Sequence, residues 1–77
     1  MDNEEYLVQI FERAYYGEHF IEEDVVIGSE GIKEYLRKHT FIESVIDSVL
    51  RDREFYSMCD VIRILEKNPD GSFDFYN

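Results

Sequence analysis

A lone cysteine, Cys59, in a chain of 77 residues removes the intrachain disulfide from the ways this sequence can hold itself together. A domain of this size buries only roughly 60 to 65% of the surface its unfolded chain exposes, and so thin a core draws added stability from disulfides, metals or partner subunits. With the first of these closed off, residues 1–77 must fold as one domain of packed amphipathic segments, and a homodimer is expected. Six Phe and six Tyr are more rings than so small a core takes up, and Tyr is common at protein interfaces. A single thiol also fits a reducing, cytoplasmic setting.

The apolar pattern then divides the chain. Leu7, Ile10, Phe11, Ala14 and Tyr15 recur at helical spacing behind a capping box of Asp2 and Glu5, which predicts a first helix over residues 3–16, closed by Gly17. Glu5, Gln9, Glu12 and Tyr16 would then face water. Residues 18–24 read as a loop and Val25-Val26-Ile27 as a short strand. Gly28 and Gly31 bracket a turn with an N-cap, and Ile32, Tyr35 and Leu36 mark a second helix to about His39. In residues 40–52 apolar pairs recur every four residues and Thr40 with Glu43 forms a capping box, which predicts a helix. The Val, Ile, Ser and Thr content and the lack of Ala favour a strand there, and both remain open. Residues 55–66 read as strand, and Asn68-Pro69-Asp70-Gly71 as a turn closing a hairpin with residues 72–76. The expected fold is α+β, with N-terminal helices packed on a small C-terminal antiparallel sheet.

Few residues offer chemistry. Cys59, inside the expected strand and without a neighbouring His or Lys, reads as a buried inert thiol. His39, at a helix end, is a favourable partner of the helix dipole rather than a base. Glu18, His19, Glu22, Glu23 and Asp24 match no metal-loop spacing, and no nucleophile elbow, phosphate-binding Gly loop or Cys pair occurs. Neither enzymatic activity nor a cofactor is expected.

Charge is the distinctive property. Residues 2–30 hold nine acids against one base, −8 of a net −10. That balance argues against direct binding to nucleic acid or to anionic lipid, and the N-terminal residues carry neither a basic leader nor an apolar run long enough to span a membrane. A basic protein is the expected partner, with Glu5, Glu12, Glu18, Glu22, Glu23, Asp24 and Glu30 as the residues that meet it. In an extended segment Glu22 and Asp24 share one side about 7 Å apart, close to two phosphate steps along a strand of B-DNA.

These acids, on a short chain with one cysteine, resemble the small DNA-mimic proteins by which phages inhibit host nucleic-acid-binding proteins, among them the type that targets the nucleoid protein HU. The resemblance implies a protein of the host cytoplasm that blocks the DNA-binding surface of a basic, nucleoid-associated protein. A second resemblance is to the opening of NTF2-like domains, carried by the expected helix over residues 6–16, by Asp24-Val25-Val26, by Gly31-Ile32 and by Tyr35-Leu36. It implies a long curved sheet, a strand over residues 40–50, and a pocket for small-molecule binding or chemistry.

Overall fold

The first fifteen or so residues contain two periodicities at once, and the computed structural model, which describes residues 3–73, resolves which one prevails. Tyr6, Val8 and Ile10 alternate with Leu7, Gln9 and Phe11, and the chain uses this period of two: β1 (Glu5–Ala14) turns at Tyr15-Tyr16 and returns as β2 (Gly17–Ile27). The expected first helix is therefore a β-hairpin. Gly17 does adopt a positive φ, 130°, but as the residue that closes the two-residue hairpin turn rather than a helix. The expected loop over residues 18–24 is strand as well.

Two helices follow, α1 (Gly28–Lys38) and α2 (Glu43–Asp52), then β3 (Glu54–Tyr56) and β4 (Asp60–Glu66). The four strands form one antiparallel sheet in the order β2-β1-β4-β3. The architecture is α+β, but the arrangement expected from sequence is overturned: a hairpin opens the chain, the helices sit in its middle, and the sheet draws on both ends. β1 occupies the centre because its apolar residues serve both faces, Tyr6, Val8 and Ile10 on one and Leu7 and Phe11 on the other.

Both helices cover one face. Ile32, Tyr35 and Leu36 of α1 and Ile46 and Val49 of α2 pack with Tyr6, Val8, Ile10, Ile62 and Ile64 of the sheet. Ile32, Leu36, Ile46 and Ile62 are fully buried, each contributing about 1.5 to 3 kcal/mol relative to exposure. Gly31 lets α1 settle on β2, since a Cβ there would lie 3.1 Å from Val26 Cβ. On the opposite face Leu7, Val61 and Leu65 are also buried, while Phe20, Val25 and Tyr56 are about half exposed.

The apolar period of residues 40–52 gives a helix, as its pairs predict, but α2 starts at Glu43 after an N-cap at Ile42 that makes no side-chain cap bond. Thr40 lies instead at φ 65° with its hydroxyl donating to the His39 carbonyl. The elements implied by an NTF2-like domain are thus exchanged, with strand and its hairpin turn at residues 6–16 and helix over most of residues 40–50. The expected strand over residues 55–66 is broken by a turn at Ser57-Met58-Cys59, so Cys59 is exposed and not buried. The turn at residues 68–71 forms as expected, with Gly71 at φ 93° and Lys67 bridged to Phe73; residues 74–76 of the expected last strand lie outside the described residues. Among the described residues no helix is long and apolar enough to cross a membrane.

Candidate protein-interaction surface

Charge is segregated by element. β1 and β2 with their turn carry six acids and one base, half of the net −10, whereas residues 28–53, which include both helices, carry five of each. The acidic hairpin lies at one side of the sheet, and β2 is the outermost strand. One side of β2 is paired with β1, and among the described residues the other side pairs with no strand.

Strand pairing distributes the acids over two faces. Glu22 and Asp24 lie opposite Ile10 and Val8, on the helix side, while Glu23 lies opposite Gln9 and Glu18 opposite Arg13, on the uncovered side. Between them Ile10 pairs with Glu22 and Phe11 with Phe20, so Ile21 is the extra residue of a β-bulge. The expectation that Glu22 and Asp24 share one side of an extended segment is met. Glu5 and Glu12 stand at opposite ends of β1, and Glu30 is in the first turn of α1. The seven acids therefore do not make one plane. They ring the hairpin and its junction with α1.

Several of these acids are anchored. Glu22 Oε1 accepts the Tyr35 hydroxyl at 2.6 Å and lies 2.8 Å from His39 Nε2, tying β2 to the C-terminal end of α1. Burial, then the bond to Glu22, then the charges of Glu22, Asp24 and Glu23 hold the Tyr35 phenol well above the usual tyrosine range. His39 does sit just past a helix, as expected, but its partner is this carboxylate on another element. Glu18 accepts from Arg63, whose guanidinium lies over the Phe11 and Tyr56 rings. Glu5 pairs with Lys67, Glu30 with Lys33, and Glu23 accepts from Gln9 Nε2. Gln9, expected at the surface of a helix, is consequently buried in the sheet. Among the described residues Glu12 and Asp24 pair with no cation, and Asp24 Oδ1 accepts the backbone N–H of Val25.

Sequence reading missed a second property of this region. Among the described residues Tyr15, Tyr16 and Met58 are the most exposed large apolar side chains, and they lie at one end of the sheet because Arg13 joins the hairpin to the β3–β4 turn, its N–H donating to the Cys59 carbonyl and its guanidinium to that of Ser57. The available signal was Tyr15-Tyr16-Gly17 itself, two rings before a glycine in a turn. Among the described residues no group of three or more His, Cys, Asp or Glu side chains is arranged to hold a metal ion. No protein-family model, no curated protein and no solved structure matches this chain.

Proposed function

We propose that this protein is a non-enzymatic interaction module whose acidic hairpin occupies the nucleic-acid-binding surface of a basic protein, such as a nucleoid-associated protein, and competes there as a DNA mimic. The observation that carries this reading is the concentration of half the net charge on the hairpin beside a helical layer that is neutral. Net repulsion of this kind opposes folding, so its concentration at one side of the sheet calls for a cause beyond solubility. Glu22 and Asp24, about 7 Å apart on one side of β2, have the spacing of two phosphate steps. The contacts of Glu18 with Arg63, of Glu22 with Tyr35 and His39, and of Glu30 with Lys33 hold their carboxylates in place before a partner arrives, which lowers the entropy cost of docking.

A second reading rests on the free edge. Acidic residues and a bulge on an outermost strand also prevent pairing between copies of the sheet. The two readings separate in a competition assay. A partner captured from a bacterial lysate is loaded with fluorescent duplex DNA, and the chain is titrated in. Competition predicts stoichiometric release of the DNA, whereas an acidic edge that only prevents aggregation releases none. Dimerisation belongs to the proposal as well, through the uncovered face with its half-exposed Phe20, Val25 and Tyr56.

A further inference from the structure

The outer edge of β2 turns main-chain groups, as well as charge, away from β1. Gly28 N–H donates to the Glu4 carbonyl at 2.8 Å, and hydrogen-bonded pairs alternate along an antiparallel ladder, so Val26, Asp24 and Glu22 turn their amides toward β1. Glu23 and Val25 therefore turn theirs outward. The Val25 N–H agrees with this, since its acceptor is the Asp24 side chain, 2.8 Å away, and not β1. Beside these outward groups runs a groove of about 500 Å³ between the edge and α1, lined by Val25, Val26 and Ile27 from the strand and by Gly31, Glu34 and Tyr35 from the helix. Gly31 leaves the helix wall without a side chain where it meets Val26.

A strand edge whose amides at Glu23 and Val25 point away from β1, the latter held only by its neighbour's carboxylate, next to a helix-walled apolar groove is a template for an added strand, in which main-chain bonds supply affinity and alternate side chains enter the groove. Charge decides what can be added. Glu30 and Glu34 at the helix wall outnumber Lys38, and Glu22, Glu23 and Asp24 precede the groove along the strand. A second copy of β2 would place acids against acids. We propose that the β2 edge and the β2–α1 groove bind an extended, lysine- or arginine-bearing segment of a partner protein as a fifth strand, with an apolar side chain of that segment seated against Val26 and Tyr35. This inference rests on the proposed acidic-module reading for the sign of the partner's charge, and on the edge geometry for the mode of binding.

The probe is a capped synthetic peptide alternating lysine and valine, with a glutamate–valine peptide as its charge-reversed control, both titrated by calorimetry. Val25→Pro removes an outward N–H that β1 does not use, a substitution that edge strands accommodate. The lysine–valine peptide is expected to bind the wild type and to bind Val25→Pro about tenfold more weakly, the equivalent of about one hydrogen bond, while Asp70→Asn, in the turn after β4 and outside the groove's lining, binds as the wild type does. Amide shift mapping on the wild-type chain, which needs no variant to fold, is expected to concentrate changes at residues 23–27 and 30–38. Equal affinity for Val25→Pro, with shifts spread over Glu12 and Glu18, would overturn the groove and leave the acidic reading intact. Equal binding of the glutamate–valine peptide would overturn the charge selection on which the inference rests.

Discussion

Replacing Tyr35 by Phe tests how firmly the acidic strand is tied to the helical layer. The Tyr35 side chain is 8% exposed, and its hydroxyl donates to Glu22 Oε1 at 2.6 Å, an oxygen that also lies 2.8 Å from His39 Nε2. Removing the hydroxyl leaves a carboxylate that keeps its histidine neighbour and, being 45% exposed, can take up water. The loss should therefore fall at or below the low end for a hydrogen bond to a charged group, about 1 to 1.5 kcal/mol, which for a domain of this size lowers Tm by about 4 to 12 °C. The assay is thermal unfolding followed by circular dichroism, with Glu22→Gln and the double variant completing a cycle whose coupling should be about 1 kcal/mol. The pH dependence is specific. Burial first and Glu22 second raise the Tyr35 phenol above its unfolded value near 10, so the folded state retains a proton that the unfolded state releases. That contribution is complete below about pH 10 and is lost as pH rises through the folded value. Tyr35→Phe has nothing to lose there, so its deficit relative to wild type should shrink between pH 8 and pH 11. An unchanged Tm at neutral pH, or a gap constant across that range, would show that the Tyr35 hydroxyl does not tie β2 to α1.

Four further outcomes follow from the same contacts. Ile62→Ala, at a fully buried site between both helices and the sheet, should destabilise by about 2 to 4 kcal/mol in urea unfolding. Gly31→Val should also destabilise, because its Cβ would meet Val26 Cβ at 3.1 Å, and it should alter amide shifts in β2 as well as α1. Cys59 is exposed in the β3–β4 turn and should react with a thiol reagent in the native state, without prior unfolding. Light scattering at micromolar concentration should return the mass of a dimer, and Tyr56→Glu on the uncovered face should return it to a monomer.

The fold was partly legible in the sequence, and the misreadings share one physical origin. α1 could be read because Ile32, Tyr35 and Leu36 mark one face and the covering sheet uses only that face. The turn at Asn68-Pro69-Asp70-Gly71 is set by local φ preferences, and it formed where expected. β1 was hidden because a strand buried on both faces shows a nearly continuous apolar run, whose Leu7, Ile10, Phe11, Ala14 and Tyr15 also satisfy a helical period. Of β2 only Val25-Val26-Ile27 was legible as strand; residues 18–24 were hidden for the opposite reason, since an acid-rich edge segment has little strand preference of its own and owes its conformation to pairing with β1, a non-local cause. The acidic residues were identifiable from sequence, but their two-faced distribution and their ties to Tyr35, His39 and Arg63 depend on that pairing.

The claim that the acidic edge is a binding surface is tested most directly by neutralising it and varying salt. Glu22→Gln, Glu23→Gln and Asp24→Asn together remove three charges from β2, and the DNA-displacement titration of the captured partner is repeated at two ionic strengths. Screening acts over about 8 Å at 0.15 M salt. The account predicts that the wild type displaces DNA less effectively at the higher salt, and that the triple variant is weaker at both, with a smaller salt dependence. Displacement by the triple variant equal to that of the wild type at both salt concentrations would contradict it.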